Sequence, residues 1–428
     1  MRQTAHLCSL FMVAVFLGAC EFLPPQLVAA ESTPLTPEPQ VITVEVTRLI
    51  RETVVVTQAP PSRITADAAP GVLLGVPRAL HTATWMPHNY VLLVGGSRAP
   101  DQFLAEVEFY DPASGLTGEA AALHVPRHGH TATLLSDGRL LVVGGYNNST
   151  QWLDDAEVYD PATDTWTDVP PLHNHGVSHT ATLMQDGRVL VVGGCTGSGV
   201  CTNRVEIFNP QTNTWTDAMP LQGDRGSHSA VALDDGRVLL AGGAAASGVP
   251  QGGDALLYDP QMNTWSSAAP MVKPRIFAQS VRLQDGRVLV IGGINLEDAL
   301  SGGPNRKMST SVEIYDPKWD EWSAAADLAQ ARYAHTATML PDGRVLVSGG
   351  ARDWDCCLSD SSFVAEIEIY DPGANRWYQA GTLPLPGANA AAVLLSDGRV
   401  WVTGGQAGPS NTIVRPETWL ISEIPDQP

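Results

Sequence analysis

The sequence predicts an all-β fold made of seven repeats, each supplying four short antiparallel strands. A Gly-Gly doublet closes an apolar strand once every 49 to 57 residues. In six repeats an Asp-Gly-Arg turn precedes that strand, and Asp-Gly between alternating strands is a strong hairpin signal because the turn needs positive φ. A third strand ends in Tyr-Asp-Pro or a close variant, and a tryptophan marks the fourth in five repeats. The doublets begin at Gly95, Gly144, Gly193, Gly242, Gly292, Gly349 and Gly404.

The first strand of each repeat begins at an HTAT-like segment, 14 residues before the doublet. Five repeats carry a histidine there, and Ala278 and Ala390 replace it in the other two. Imidazoles that share a metal ion must converge on it at about 2.1 Å, which a wide ring does not allow. We therefore expect these histidines to pack between repeats. They are His81, His130, His179, His228 and His335.

Taken together, these repeated features resemble the kelch repeat over about residues 62–421. The resemblance implies a seven-bladed kelch-type β-propeller with four antiparallel strands per blade, similar to that of galactose oxidase. Such blades bury their faces by stacking in a ring. The last repeat has no fourth strand after residue 421. Because Ile64–Pro70 resembles Trp265–Pro270, we expect residues near 62–67 to complete blade 7 and close the ring.

The first residues read as an export signal. An apolar run from Leu7 to Leu17 has the length of a signal peptide core and is too short to span a membrane. It leads into Leu17-Gly18-Ala19-Cys20, which resembles a bacterial lipobox, with Cys20 as the lipidated residue. The alternative is an ordinary cleaved signal whose cysteine is incidental. We expect an exported protein, lipid-anchored on the extracytoplasmic side of a bacterial membrane, at the cell surface or in the periplasm.

Four segments follow from these boundaries. Residues 1–19 form the signal peptide and residues 20–60 a Pro/Thr/Val-rich tether after the lipidated cysteine. The alternative for the alternating stretch Val41–Pro61 is a strand that pairs with the main domain. Residues 61–421 form the propeller and residues 422–428 a C-terminal tail. The chain carries 25 Lys and Arg against 45 Asp and Glu, a net charge of −20, which excludes broad phosphate-backbone binding and nucleic acid as a partner. We expect a monomeric propeller that meets the membrane through its lipid only.

Five arginines lie three residues before the inner-strand position, and Gly176 and Gly387 interrupt the series. They fall in the segments that surround the predicted channel mouth. Guanidinium groups bind carboxylate or phosphate in bidentate fashion, so these arginines are candidate contacts for an anionic ligand. The alternative is that each arginine pairs with an acidic group or a carbonyl of its own repeat. The candidates are Arg78, Arg127, Arg225, Arg275 and Arg332.

The loops after the doublets supply further candidates. Trp152 and Trp354 have the side chains to stack on a ligand such as a sugar ring, with gap filling as the alternative. Four cysteines remain after Cys8 and Cys20, and an oxidising compartment permits disulfides among them. They are Cys195, Cys201, Cys356 and Cys357. A disulfide between the first two would rigidify the glycine-rich loop that they flank, and the last two are adjacent and able to form a vicinal disulfide. The sequence leaves all three connectivities open. No CxxC metal spacing occurs, and we expect no metal and no cofactor.

Sequence motifs of nucleophilic, nucleotide-dependent or zinc-dependent enzymes are absent from the chain. The first hypothesis is therefore a lipid-anchored binding or scaffold module that takes a protein or glycan ligand on its loop-rich face. The alternative is an exported sugar-active enzyme, similar to an epimerase or mutarotase, acting on acidic sugars at an arginine-lined channel mouth.

Overall fold

The computed structural model describes residues 65–148, 151–173, 176–196, 200–244, 254–295, 308–353, 362–408 and 413–424. These residues form seven four-stranded antiparallel sheets, which are the blades of a β-propeller. The inner strand of each blade contacts the inner strands of both neighbours around a complete ring. The predicted signal peptide, Cys20, the tether, Trp354, Cys356 and Cys357 lie outside the described residues. Within the described ranges, no helix has the length and apolar character needed to cross a membrane.

Strand bounds repeat from blade to blade. The inner strands are Thr82–Met86, Thr131–Leu134, Thr180–Leu183, Ser229–Ala232, Gln279–Arg282, Thr336–Met339 and Ala391–Leu394. The second strands are Tyr90–Val94, Leu140–Val143, Val189–Val192, Val238–Ala241, Val288–Ile291, Val345–Ser348 and Val400–Thr403. The third strands are Val107–Asp111, Ala156–Asp160, Val205–Asn209, Ala255–Asp259, Val312–Asp316, Glu366–Asp371 and Thr418–Ile424. The outer strands are Leu116–Ala120, Thr165–Val169, Thr214–Asp217, Thr264–Ser267, Glu321–Ala324, Arg376–Thr382 and, for blade 7, Thr65–Pro70.

The N-terminal strand closes the ring, as the sequence predicts. Thr65–Pro70 pairs antiparallel with Thr418–Ile424, so that Thr65 lies opposite Ile424 and Pro70 opposite Trp419. The last strand extends three residues beyond the predicted boundary at residue 421, because its final residues are the partners of Thr65, Ala66 and Asp67. Blade 7 therefore joins the two ends of the described chain.

The core lies between the blades. In all seven second strands, every residue except Tyr90 at the start of the first is buried. Continuous burial fits a strand that is covered on both faces by neighbouring sheets. Leu141 and Val143 of blade 2, for example, share one cluster with Val189, Val191 and Phe208 of blade 3.

The loops after the doublets are closed at their base. Both glycines of every doublet have positive φ, which a residue with a side chain rarely adopts. The chain leaves the blade at the second glycine and returns where a backbone N–H donates to that glycine's carbonyl. These returning bonds are Leu104 to Gly96, Leu153 to Gly145, Thr202 to Gly194, Ser309 to Gly293, Val364 to Gly350 and Arg415 to Gly405. We call the side of the ring that bears these loops the Gly-Gly face.

Four short hairpins or strand pairs add to this face. They are Ser97–Ala99 with Gln102–Phe103, Tyr146–Asn147 with Gln151–Trp152, Arg275–Ile276 with Ile294–Asn295, and Gln406–Ala407 with Ile413–Val414.

Candidate functional site

The five candidate arginines lie inside the blades, at most 2% exposed. In each, one guanidinium nitrogen donates to the carbonyl of the first glycine in its own doublet, as Arg332 Nη1 does to Gly349 at 3.0 Å. The backbone carbonyl of the arginine accepts the N–H of the second glycine of the preceding blade, as between Arg332 and Gly293 at 2.9 Å. Each arginine position therefore joins two blades at the base of the loops.

Four of these arginines form buried ion pairs. Arg127 Nη2 lies 2.8 Å from Glu157 Oε1 and Arg332 Nη2 lies 2.6 Å from Glu368 Oε1. Arg78 pairs with Glu108, and Arg275 with Glu313, in the same way. The glutamate of each pair also accepts backbone N–H groups from the segment that leads into its blade, as from Val272 at 2.7 Å. This geometry supports the architectural alternative for the arginines and leaves none of these four guanidinium groups at the channel mouth.

Three blades depart from the pattern, and in blade 7 the arginine position is Gly387. Blade 4 has Leu256 in place of the glutamate, and Arg225 donates instead to the carbonyls of Gly242 and Asp254 at 3.1 and 3.0 Å. Blade 3 keeps Glu206 but has Gly176 where the arginine stands elsewhere. A Cβ at Gly176 would lie 2.5 Å from the Cys195 carbonyl oxygen, so this position has no room for a side chain.

Four of the five inner-strand histidines form a hydrogen bond with the neighbouring blade. Nε2 of His130 lies 3.0 Å from Thr82 Oγ1, and the same bond recurs from Thr131 to His179 and from Thr180 to His228, both at 2.9 Å. His81 Nε2 meets Thr403 Oγ1 at 2.8 Å across the closure between blades 7 and 1. Burial lowers the pKa of His228 to about 3 and holds the pKa values of His81 and His130 well below the usual value, so these three imidazoles are neutral and act as packing and hydrogen-bonding groups.

The segment just before each inner strand forms a collar around the channel. One residue per blade has a φ between 51° and 62°, a left-handed conformation that is uncommon outside glycine. Backbone N–H groups of this series donate to the carbonyl of the preceding blade's member, from Leu80 to Asn389, Gly129 to Leu80, Ser227 to Ser178, Phe277 to Ser227 and Asn389 to Ala334, at 2.9 to 3.0 Å. We call these residues the collar: Leu80, Gly129, Ser178, Ser227, Phe277, Ala334 and Asn389.

A cavity of about 350 Å³ opens at the collar. Its lining includes Phe277 and Asn389 of the collar together with His128, Tyr333 and His335. Burial lowers the pKa of His128 to about 4 and that of His335 to about 3, and it raises the pKa of Tyr333 to about 12. The cavity is therefore lined by uncharged polar and aromatic groups.

Several buried polar atoms in this lining have no hydrogen-bond partner among the described residues: Asn389 Nδ2, both ring nitrogens of His335, and Nδ1 of His81, His128 and His130. His335 differs from the other histidines because blade 5 has Gln279 where blades 1 to 3 have a threonine. Most buried polar groups in proteins are satisfied, so each exception calls for an explanation. The repeat pattern in the sequence already indicates that these two blades differ, since blades 5 and 7 lack both the histidine and the threonine.

An aromatic cluster adjoins the cavity on blades 1 and 2. The rings of Phe103 and His128 lie 4.8 Å apart between centroids, and Tyr146 lies 5.4 Å from Phe103. Trp152 packs on Tyr146 at 4.7 Å with the planes tilted by 50°. Trp152 is thus half-buried at the edge of this cluster, on the Gly-Gly face. Sequence reasoning found Trp152 and missed Phe103, His128 and Tyr146.

Of the pairings that the sequence left open, the structure contains a disulfide between Cys195 and Cys201. Both residues are buried and lie at the base of the blade 3 loop, where Cys195 also pairs with Val177 in front of the inner strand. The disulfide therefore fixes the base of one loop of the Gly-Gly face.

Fold and site together define a ring of tandem blades that are joined by arginine and histidine contacts and that present loops on one face. Residues 80–293, half of the chain, match the profile of the KLHDC2/KLHL20/DRC7 Kelch-repeats domain. The chain belongs to the kelch-repeat family. Human Kelch-like protein 25 is 33% identical over 104 residues, which are 24% of this chain and 18% of that protein. Beta-scruin of Limulus polyphemus is 29% identical over 101 residues, 24% of this chain and 11% of beta-scruin.

The chain thus spans less than a fifth of the length of these two relatives. Among solved structures, a fungal alcohol oxidase of the AA5 family in complex with copper is similar with a TM-score of 0.67 and 18% identity, over 84% of this chain and 76% of the oxidase. YjhT is similar with a TM-score of 0.56 and 18% identity, over 72% of this chain and 99% of YjhT. At this identity, the likeness shows the propeller fold alone.

Proposed function

We propose that this protein is a binding module, held outside the cell by lipid at Cys20, whose Gly-Gly face takes up a protein or glycan ligand. The observation that carries the proposal is the collar cavity, whose lining contains buried polar atoms without a partner among the described residues, Asn389 Nδ2 and His335 Nε2 among them. A ligand that offers hydrogen-bonding groups would satisfy them. The surrounding loops differ between blades while the collar backbone is constant, which suits a recognition surface on a rigid scaffold.

The lining favours an uncharged polar group. His128 and His335 are neutral at pH 7 because burial lowers the pKa of both, and the imidazole can donate or accept a hydrogen bond. Phe277 and Tyr333 supply aromatic surface beside them. A sugar ring, or an amide side chain of a protein ligand, combines hydroxyl or amide groups with an apolar face and fits this chemistry.

No observation on the described residues favours the enzyme alternative. That hypothesis depended on arginines at the channel mouth, whereas Arg78, Arg127, Arg275 and Arg332 are buried and paired with glutamates. A carboxylated sugar at the collar would find no exposed guanidinium from this series.

The test is a thermal-shift and calorimetric screen of the full-length chain against neutral and acidic oligosaccharides. We expect neutral sugars to raise Tm, and Asn389→Ala and Phe277→Ala to abolish the shift. Matched controls are Met262→Ala and Trp319→Ala, because both side chains are exposed in turns on the opposite face and should leave binding unchanged.

If no sugar binds, the proposal predicts a protein ligand whose complex is weakened by the same two collar variants. A ligand whose affinity falls with the opposite-face variants and not with the collar variants would contradict the proposal.

A further inference from the structure

A second cavity, of about 370 Å³, opens at the junction of blades 1 and 2, beside the turn that joins the first two strands of blade 1. That turn lies at the end of the second strand remote from its doublet, so the cavity is on the side opposite the Gly-Gly face. Its lining combines three aromatic rings with three carboxylates and contains no lysine or arginine among the described residues. We call this cavity the blade 1–2 pocket, and the six residues are Tyr90, Phe109, Tyr159, Asp111, Glu119 and Asp164.

Six blades carry an arginine five positions before the doublet, and blade 1 has Tyr90 there. This arginine reaches the next blade near the end of its third strand, as Arg139 of blade 2 does by donating to Asn213 Oδ1 of blade 3 at 3.1 Å. Four others interact electrostatically with a tyrosine of the next blade: Arg188 with Tyr258, Arg237 with Tyr315, Arg287 with Tyr370 and Arg399 with Tyr110. The junction of blades 1 and 2 therefore has an aromatic side chain where these five junctions have a guanidinium group.

Blade 5 provides a direct comparison for one carboxylate of the pocket. Asp164 of blade 2 and Asp320 of blade 5 hold equivalent positions. Oδ1 of each accepts a tyrosine hydroxyl of its own blade at 2.9 Å and a backbone N–H of the preceding blade. Asp320 also interacts with Arg237 of blade 4, whereas Asp164 faces Tyr90. In the described part of the chain no cation pairs with Asp164, so its Oδ2 is an acceptor that no described residue uses.

The aromatic wall of the pocket depends on a second departure of blade 1. Phe109 lies directly opposite Gly118 of the outer strand, and a Cβ at Gly118 would lie 2.6 Å from the Phe109 ring. The glycine thus leaves room for the ring. Tyr90 meets Phe109 edge to face, with the ring centroids 6.4 Å apart and the planes at 84°. Aromatic rings attract a cation within about 6 Å of the centroid, so this wall and the carboxylates favour the same kind of ligand.

We propose that the blade 1–2 pocket binds a guanidinium group, supplied either by an arginine side chain of a peptide or by a free guanidine. The ligand takes the place that the protein's own arginine has at the other junctions. Its guanidinium donates to Asp164 Oδ2 and stacks against Tyr90 and Phe109, because a planar guanidinium both pairs with carboxylates and stacks on aromatic faces. Glu119 is exposed and adds a second negative charge to the lining. This site is independent of the collar and goes beyond the function proposed there.

The test is calorimetric titration of the full-length chain with N-acetyl-arginine amide and with agmatine. Asp164→Asn should lower the affinity at least about tenfold, because it removes the charge and the Oδ2 acceptor. The variant should fold normally, since Asn263 of blade 4 accepts the equivalent two bonds through its own Oδ1. Asp320→Asn is the matched control and should leave the affinity unchanged, because Arg237 already occupies that junction. Tighter binding of the blocked arginine indicates a peptide source for the ligand, and tighter binding of agmatine indicates a small molecule.

Tyr90→Arg gives a second readout, because it places in blade 1 the residue of the other six blades. We expect it to abolish binding of both probes without lowering Tm. N-acetyl-lysine amide and choline should bind more weakly than N-acetyl-arginine amide, since neither has a planar donor group. The proposal is overturned if neither guanidine binds the wild type, if Asp164→Asn and Asp320→Asn cause equal losses, if Tyr90→Arg still binds, or if choline binds as tightly as the guanidines.

Discussion

In five of the seven blades, one arginine joins its own sheet to the preceding blade through both side chain and backbone. Arg332 holds Glu368 and the Gly349 carbonyl with its guanidinium, and its own carbonyl accepts from Gly293. A methionine could keep the backbone bond but not the ion pair. The side-chain contribution can therefore be measured separately.

We predict that Arg332→Met destabilises the protein by about 3–5 kcal/mol, because it leaves Glu368 buried without a counterion. Chemical denaturation provides the measurement. Arg225→Met is the matched control and should cost less, since blade 4 has Leu256 instead of the glutamate. Equal losses for the two variants would show that the ion pair is not the source of the effect.

The buried histidines predict acid sensitivity. Burial lowers the pKa of His228 and His335 to about 3 and that of His128 to about 4, below the unfolded value of about 6.5. Between pH 6.5 and the lowered pKa, these histidines bind protons in the unfolded chain but not in the folded chain. The free energy of unfolding is therefore highest above pH 6.5 and falls as the pH decreases. Each such histidine contributes a slope of up to about 1.4 kcal/mol per pH unit.

We expect the free energy of unfolding to drop steadily between pH 6.5 and 4, measured by denaturation at each pH. Blades 5 and 7 already have alanine at this position, so His228→Ala is a mild change. It should reduce the pH dependence of the free energy of unfolding by the amount that corresponds to about one bound proton. A pH-independent stability across this window would contradict the buried, neutral state of these side chains.

At the scale of elements, the strand Thr65–Pro70 has an unusual position, since it completes a sheet whose other three strands lie more than 300 residues away. Ala66 packs in the same cluster as Ile367 and Trp419, which links blades 6 and 7. Its removal would expose the edge of blade 7 and part of this core.

Deletion of residues 21–70 is therefore expected to lower Tm by an amount on the order of 10 °C, as for a loss of several kcal/mol in a domain of this size. Deletion of residues 21–60, which keeps the strand, should leave Tm unchanged. Scanning calorimetry of both variants decides the point. Identical Tm values would mean that the strand adds nothing to ring closure.

At the scale of the whole molecule, closure removes the free ends that repeat proteins otherwise have. In an open array, terminal units open first because each has one neighbour. In the ring, each inner strand contacts two neighbours, including those of blades 7 and 1.

We predict that hydrogen exchange in the wild type gives similar protection for the second strands of all seven blades. In the variant without residues 65–70, protection should fall first in blades 7 and 1. A wild-type gradient from blade 1 to blade 7 would instead indicate that the ring opens readily at its closure.

The sequence was sufficient for the blades and the closing strand, because doublet spacing, Asp-Gly turns and strand alternation are local signals. It left open which cysteines form a disulfide, since that depends on which loops lie together in the fold. It did not locate the arginine side chains. The partner of Arg127 is Glu157, 30 residues away, and sequence alone left a buried pair and an exposed anion site as alternatives. The collar was also missed, since the identities of Leu80 or Phe277 give no indication of positive φ.

The closed bases of the loops have a consequence for how this fold can change. The chain leaves and returns at one hydrogen bond whether the insert runs from Gly96 to Leu104 or from Gly293 to Ser309. The returning hydrogen bond is thus the same whether the segment between its ends is short or long. Loops on this face can therefore be exchanged without changing the blades beneath them. Evolution or protein design can introduce a new recognition segment there while the scaffold stays the same.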